Sequence, residues 1–547
     1  MEAHVDARRM VDPTVHARRW WILAVLGLSL LIVFVGNASL NVVLPTLART
    51  LHATTSQLQW VVAVYSLVFA GLLFSTGALG DRFGRKGILQ LGLLLFLVAA
   101  ALAACSDSMW QLIACRGVMG AAAAMVMPST LSILVNVFPP HERAKAIAIW
   151  ASLIGVAGSL GPIASGFLLG HFWYGSVFLV NVPIVLVALL SGWFLVPKSK
   201  DPDQAGLDPM GATLSVVGIA SLVFGLIEAP DKGWLSAPTL AAFAVAAAVL
   251  VLFVLWERRV DEPMLDIGFF RNPAFSTGTA GMILVFLALY GLMFLLTQYF
   301  QLVKGLSPLA AALRFLPMAP VMLIVAPLTP HLSHRFGANR AVAGGMTLVA
   351  VALFLFRFVG VHTSYAYVLA CLMCLTTGMS STMSPMTAAI MSAVPSRRAG
   401  AGSAMNDATR ELGSALGVAV LGSVAASRYA SRLHHVVAGL SPTARSAARS
   451  SLASVLNSAK QLAPADAGAV RAGALRAYMD GIHVSVTAGA MLAAVAALVV
   501  LRFLPRQLAQ EGALHGPIES LEDAAELVIG GVPPLFGDLA SEEPGRR

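Results

Sequence analysis

Long uncharged stretches of apolar residues recur from Trp20 to Leu501 and constrain the fold of this chain more than any other feature. Each stretch is close to the roughly 20 residues with which an α-helix crosses a bilayer. Of the 547 residues, 58% are hydrophobic and 12% are charged, about half the charged fraction of an ordinary soluble domain. The sequence therefore predicts an all-α membrane protein and excludes soluble enzymes and nucleic-acid-binding modules.

Charged residues and Pro/Gly clusters divide the apolar sequence into fourteen candidate transmembrane helices, which we number in chain order. The connections between them are short, so no sizeable soluble domain is inserted. The helices are predicted near 21–43, 58–79, 88–105, 110–138, 144–169, 176–196, 210–229, 238–256, 276–300, 312–332, 341–358, 365–394, 401–425 and 482–501.

The net charge of +9 lies mostly in short loops, which indicates a membrane surface and no nucleic-acid partner. The loops on the side of the N-terminus contain most of the Lys and Arg residues, as at Arg82, Arg85 and Lys86. Because cytoplasmic loops carry the excess of positive charge, both termini are predicted to be cytoplasmic. The basic segment 426–481 breaks this pattern. We interpret it as an external, solvated linker, in which Ala/Ser-rich pieces could form a surface helix.

Few ionisable residues lie at membrane depth. Each is a candidate functional residue because burying its charge there costs at least ~2.5–3.5 kcal/mol. They are Arg116 in helix 4, Glu228 at the end of helix 7, Arg357 at the end of helix 11, and Asp407, Arg410 and Glu411 in helix 13.

The helix 13 cluster is the most informative of these. If the helix enters the membrane near Ala401, a rise of ~1.5 Å per residue puts Glu411 ~15 Å deep, and its four-residue spacing from Asp407 puts both carboxyl groups on one face. Since loss of water favours the neutral form of a carboxyl group, both are candidates to exchange protons. The alternative is a neutralised pair of Asp407 and Arg410, with Glu411 bonded to a neighbouring helix.

One glycine-containing motif follows helix 2, and another lies within helix 5. The loop after helix 2 has the composition of a charged latch between helices, with glycines for a tight turn and an acid able to pair with an arginine. Helix 5 carries small residues and a proline, which favour either a close packing seam or a conformational gate. The latch residues are Gly77, Asp81, Arg82, Gly84, Arg85 and Lys86, and those of helix 5 are Gly158, Gly161, Pro162 and Gly166.

No motif predicts a cofactor or a metal. The four cysteines lie in or beside apolar segments without zinc-ligand company. There is no phosphate-binding loop for ATP. Asp201 and Asp203 form the only DxD-like string and are interpreted as part of a solvated turn. A membrane-embedded transferase is therefore a remote alternative, and we predict that the protein is not an enzyme.

Together these motifs resemble the major facilitator superfamily and, within it, the fourteen-helix drug:proton antiporters of the EmrB/QacA type. Residues 77–86 are similar to the superfamily signature between helices 2 and 3. Residues 112–120 resemble the helix 4 motif, and Arg116 stands at the position of its buried arginine. Residues 158–166 resemble the antiporter motif of helix 5. The resemblance covers about residues 20–505.

The resemblance implies a multidrug or antibiotic exporter that works by alternating access, in exchange for protons, as a monomer in the cell membrane. It implies two six-helix bundles and an inserted helix pair. The predicted regions are a cytoplasmic tail at 1–20, bundles at 21–196 and 261–505, inserted helices at 197–260 and an acidic cytoplasmic tail at 506–547. Candidate residues of the substrate cavity are Asn41, Trp60, Tyr290, Phe294 and Glu228.

Two departures from these relatives bear on the mechanism. Many of them carry an aspartate in helix 1 where this chain has residues 35–39, Val-Gly-Asn-Ala-Ser, and an acid or polar residue where it has Ala63. Their loss weakens the case for dicationic drugs. It also moves proton coupling onto helix 13 or removes it, so an uncoupled exporter of lipids or metabolites is the alternative function.

Overall fold

The computed structural model describes residues 13–199, 208–395, 399–436, 451–459 and 464–507. Most of both tails, the Asp201–Asp203 string and the middle of the 426–481 segment lie outside these ranges. Within them the chain forms helices joined by turns and short connections, and no strand. Fourteen of the helices are long and apolar enough to cross a membrane, which confirms the predicted fold class.

We label these fourteen helices α1 to α14. Their bounds are Pro13–Thr50, Thr55–Phe83, Arg85–Ala104, Met109–Val137, Pro140–His171, Ser176–Leu195, Pro209–Lys232, Ala237–Glu257, Pro273–Val303, Pro308–Phe336, Ala338–Phe356, Tyr365–Ser392, Ala399–Val436 and Pro464–Phe503.

The last two helices are much longer than predicted, with 38 residues in α13 and 40 in α14. Together with a short helix at Leu452–Ser458, they replace much of the predicted linker at 426–481. Its Ala-rich sequence continues the helices because alanine and arginine have high helix propensity. A prediction based on the length of apolar stretches does not detect this propensity. Beyond the predicted spans, Arg432 on α13 pairs with Asp480 on α14 at 3.2 Å.

Helices α1–α6 and α9–α14 form two halves, each with its own buried residues. Leu30, Phe69 and Phe96 belong to a core of the first half. Leu292 and Leu353 belong to a larger core that lies mostly in the second half and also includes residues of the first, such as Leu44 and Val61. Backbones approach closely within the halves: a Cβ at Gly120 on α4 would lie 3.1 Å from Tyr65 Cα on α2. Such small-residue contacts are typical of membrane helices.

The inserted pair α7–α8 packs at the junction between the halves. Val223 and Ile227 on α7 form a buried cluster with Leu67 on α2 and with Ala415 and Ala419 on α13. Helices α2 and α13 thus face each other across the junction and carry α7 on one flank. This arrangement positions the functional residues of α13 against the first half.

We call the side of the bundle where α1 begins the N-terminal side and the opposite one the far side. On the far side the halves are hydrogen-bonded: Gln301 donates to the Val42 carbonyl at 2.9 Å, and Gln59 donates to the Val418 carbonyl at 3.0 Å. Nearer the N-terminal side, a Cβ at Gly155 or Gly158 of α5 would meet nothing within 4 Å. This stretch of α5 therefore borders open space.

Candidate functional site

The side chain of Glu411 lies between the two halves. It is 7% exposed, and the hydroxyl of Ser66 on α2 lies within hydrogen-bonding reach of its carboxyl group. The same hydroxyl donates to Ser414 Oγ at 3.4 Å. The second oxygen of Glu411, Oε2, has no partner among the described residues. The carboxyl group is thus buried at the α2–α13 junction with one position free to carry a proton.

Asp407 and Arg410 form a loose pair one turn before Glu411. Their closest charged atoms, Oδ1 and Nη1, are 3.9 Å apart, which is beyond hydrogen-bonding distance. The Arg410 guanidinium lies 5.9 Å from the ring centroid of Phe286 on α9, and its Nε has no partner within the described ranges. A tightly neutralised pair is therefore not what the structure contains.

Arg116 is fully buried in α4. Its Nε donates to the Val61 carbonyl at 3.2 Å and its Nη2 to Asn37 Oδ1 at 3.1 Å. The guanidinium also lies 4.1 Å from the ring centroid of Tyr65. Its third nitrogen, Nη1, is unpartnered within the described part of the chain. The helix 4 arginine is therefore positioned by neutral groups.

No ion pair found among the described residues involves Arg116. The carboxylate whose charge acts on it is Glu411, on the other half of the molecule. A buried charge without a close counter-ion is costly. Asn37 explains why the counter-ion is missing, because its amide accepts one hydrogen bond without neutralising the cation.

Aromatic rings lie beside the carboxyl groups. Phe286 and Tyr290 on α9 stack with their centroids 6.1 Å apart and their planes 20° apart. Tyr290 is close enough to Glu411 for the two groups to interact electrostatically. The structure thus brings Tyr290, a predicted cavity residue, to the α13 site.

The other predicted cavity residues lie elsewhere. Phe294 is 1% exposed, and it packs in a core where it lines a small cavity with Gln298 and Tyr429. Glu228 pairs with Lys232 at 3.2 Å at the far end of α7. The ring centroids of Trp60 and Phe224 of α7 lie 6.2 Å apart, and the side-chain oxygen of Asn41 has no partner among the described residues. The sequence does not predict these locations, because they depend on how the helices pack against one another.

Sequence reasoning missed Tyr65 and Ser66, which contact the two central charges. Tyr65 packs on Arg116 and donates to the Val33 carbonyl at 3.1 Å. Ser66 reaches Glu411. The available signal is that both are polar residues in the apolar centre of helix 2, where an unpaired polar group is costly.

The predicted latch fastens α2, α3 and α6 together. Gly84 separates α2 from α3 with a φ of +112°, a conformation that favours glycine. Asp81 and Arg85 pair at 2.8 Å, the Arg85 amide donates to the Ser199 carbonyl at 3.0 Å, and Lys86 donates to the Trp193 carbonyl at 2.7 Å.

Two latch residues make weaker contacts. Arg82 lies over the ring of Phe83, 5.7 Å from its centroid. A Cβ at Gly77 would lie 3.7 Å from Pro128 on α4, an ordinary van der Waals distance. The described latch contacts therefore hold the N-terminal side of the first half.

The helix 5 motif packs closely over part of its length. A Cβ at Gly161 would lie 3.0 Å from the Val35 carbonyl of α1, and the Ser39 hydroxyl donates to the Gly161 carbonyl at 3.1 Å. Gly166 lies against Leu309 of the second half. These two glycines form a packing seam, with Pro162 inside the helix between them. Gly158, in contrast, borders the open space.

Comparison with known proteins gives consistent matches. A family model described as Major Facilitator Superfamily matches residues 26–418. The multidrug efflux pump LfrA of Mycolicibacterium smegmatis is 38% identical over 484 residues, which cover 88% of this chain and 96% of the relative. The methyl viologen resistance protein SmvA of Salmonella typhimurium is 32% identical over 478 residues, which cover 87% and 96%.

Among solved structures, a bacterial homolog to the human lysosomal transporter Spinster is similar with a TM-score of 0.62 and 18% identity, covering 90% of this chain and 99% of that one. This likeness concerns the fold. The family model spans most of the chain, and the similarity to LfrA extends over nearly all of it. This chain therefore belongs to the Major Facilitator Superfamily.

Proposed function

We propose that the protein exports lipophilic or amphipathic small molecules by alternating access, in exchange for protons that bind at Glu411. Its relatives are named as multidrug efflux and antibiotic-resistance proteins. The observation that carries the coupling mechanism is the buried Glu411 carboxyl group between the halves, with one oxygen unpartnered. Ionisable groups inside membrane helices mark proton relays in transporters.

The two charge states of Glu411 have different interactions with the first half. When ionised, its carboxylate attracts Arg116, the buried cation of the opposite half. When protonated, it loses this attraction and donates a hydrogen bond. Proton binding therefore changes the free energy of contact between the halves, which is what coupling to a rocking motion requires.

The described contacts correspond to one state of this cycle. Hydrogen bonds join the halves on the far side. Nearer the N-terminal side the halves still meet along α2, where Phe74 packs against the cluster of Phe275 and Met405, but α5 borders open space. With both termini in the cytoplasm, as the loop charges predict, this state is open to the cytoplasm. We propose that substrate enters here from the cytoplasm or inner leaflet, and that the protein acts as a monomer in the cell membrane.

The site favours substrates with at most one positive charge. Phe286 and Tyr290 offer aromatic faces, and Asp407 and Glu411 offer negative charge. Aromatic faces attract cations. The first half adds a cation, Arg116, and the neutral Asn37 in its first helix. SmvA is named for resistance to methyl viologen, a dication, and we expect this chain to handle monocations and neutral compounds better.

Export of a lipophilic fluorescent monocation tests the proposal. In cells that express the protein, efflux should collapse on adding a protonophore, and Glu411→Gln should reduce it to the level of cells without the protein. Glu228→Gln is the matched control, because it removes the same charge from a half-buried ion pair at the far end of α7, away from the α13 site. Membrane levels of all variants are compared by immunoblotting.

The alternative is uncoupled export, which the absence of an acid at residues 35–39 of helix 1 favours. Efflux by the wild type that persists with the protonophore and in Glu411→Gln would support this alternative and contradict the proton-coupling role. Efflux that is equally lost in Glu228→Gln would show that the assay reports folding and not coupling.

A further inference from the structure

Two carboxyl groups meet at the N-terminal side of the inserted helix pair, remote in sequence from the α13 site. Asp208 immediately precedes α7 and is 6% exposed, and Glu257 ends α8 and is 3% exposed. Acidic residues are almost never this buried unless they are paired. The question is which group compensates them.

Each carboxyl group has one satisfied oxygen. Asp208 Oδ1 accepts from the Gly211 amide and from Trp256 Nε1, both at 2.8 Å. Glu257 Oε2 accepts from the Leu265 amide at 3.0 Å. The remaining oxygens, Asp208 Oδ2 and Glu257 Oε1, have no donor among the described residues.

The two unpartnered oxygens point to the same place. A Cβ built on Gly211 would collide with both of them, and the Glu257 carboxyl group lies within hydrogen-bonding reach of Asp208. Ionised carboxylates are acceptors only. Two such oxygens can therefore bond to each other only when one of them carries a proton.

The charges around the pair do not offer another solution. The ion pairs found in the described part of the chain include neither carboxyl group. Among the described residues, Asp208 is the charged group whose charge acts on Glu257, and it raises the cost of ionising Glu257 instead of compensating it. Two adjacent carboxyl groups in a buried site cannot both stay ionised, because like charges repel each other.

We propose that Asp208 and Glu257 bind one proton between them and form a second proton site, on the N-terminal side of the protein. The site joins three segments: the start of α7, the end of α8 and the connection to α9, through Leu265. That connection also contacts the first half, where Ser75 on α2 donates to Met264 Sδ at 3.6 Å. The bound proton thus joins the start of α7 to the end of α8, and the other oxygen of Glu257 holds the connection to α9 through the Leu265 amide.

The sign of the pH effect follows from proton linkage. The folded site holds a proton that these carboxyl groups release in the unfolded chain at neutral pH. Folding is therefore stabilised by the pair at low pH, and this contribution is lost as the pH rises and the shared proton dissociates. Dissociation leaves two negative charges facing each other in a buried site.

Thermal unfolding of the purified full-length protein in detergent, at pH 6 and pH 9, tests the proposal. The Tm of the wild type should fall from pH 6 to pH 9 by about 2 °C more than that of Glu257→Gln, because the amide donates the shared hydrogen bond at every pH. Glu228→Gln, which removes a carboxylate from the ion pair at the other end of the same helix hairpin, should keep the wild-type pH dependence. If Glu257→Gln fails to fold, Asp208→Asn replaces it.

Equal pH dependence of Tm in the wild type and in both amide variants would overturn the proposal. So would a rise in wild-type Tm on adding Mg²⁺ or Ca²⁺ that Glu257→Gln abolishes, since the oxygens would then bind a metal cation. Because the readout is stability, the result does not depend on whether Glu411 couples transport.

Discussion

At the level of single residues, the hydrogen bond between Arg116 and Asn37 is a feature that the sequence motifs do not imply. The buried arginine and the missing helix 1 acid are both readable from the sequence, but their hydrogen bond at 3.1 Å is not. The two residues are 79 positions apart, and only packing of α1 against α4 brings them together. The same holds for Tyr65, which no spacing rule connects to Arg116.

Substitutions at Asn37 test this pairing. Asn37→Leu removes the acceptor of a buried, charged donor and should lower the free energy of unfolding by about 1–3 kcal/mol. Asn37→Asp supplies a counter-ion for Arg116 and should be less destabilising than Asn37→Leu. The Tm values of both variants in detergent check this order. Equal Tm values for Asn37→Leu and the wild type would show that the bond contributes nothing to stability.

The helices themselves were the most predictable level of the structure. Their number follows from hydropathy because the bilayer sets the length of each apolar stretch. Their ends outside the predicted spans, as in α13 and α14, depend on the propensity of Ala-rich sequence and on contacts such as Arg432–Asp480. The role of each glycine on α5 could not be predicted from the sequence either, because α5 contacts different neighbours along its length.

The glycines of α5 should therefore tolerate substitution differently. A Cβ at Gly166 would lie 2.6 Å from Leu309 Cα, whereas a Cβ at Gly158 would meet nothing within 4 Å. Gly166→Ala should lower the free energy of unfolding by about 1–3 kcal/mol through overpacking, and Gly158→Ala should raise it by up to about 1 kcal/mol, because alanine has the higher helix propensity. Thermal unfolding of the two matched variants measures the difference. A larger loss in Gly158→Ala would contradict the contacts assigned to α5.

At the scale of the whole molecule, the halves meet on the far side and leave a stretch of α5 beside open space. The superfamily fold was predictable from motifs, and the comparisons confirm it. Which side is closed was not predictable, because alternating access requires one sequence to support both states.

Cysteine labelling tests this state and the predicted orientation together. Gly158→Cys, in a variant whose four native cysteines are replaced, should react with a membrane-impermeant maleimide in inside-out vesicles and not in right-side-out vesicles. The reason is that Gly158 borders the opening, which faces the cytoplasm if both termini do. Labelling only from the outside would reverse the orientation, and no labelling from either side would contradict the opening.

The buried charge of Arg116 also bears on the step of the cycle at which the membrane voltage would act. With Arg410, it balances the ionised forms of Asp407 and Glu411, so the empty, deprotonated site carries no net charge and its reorientation is not driven by the voltage. Exchange of one proton for one monovalent cation then moves no net charge, and the pH gradient alone drives it. A neutral substrate exchanged for the same proton moves one charge, worth about 2.3 kcal/mol per 100 mV. The electrical response of the transporter therefore depends on the charge of its substrate.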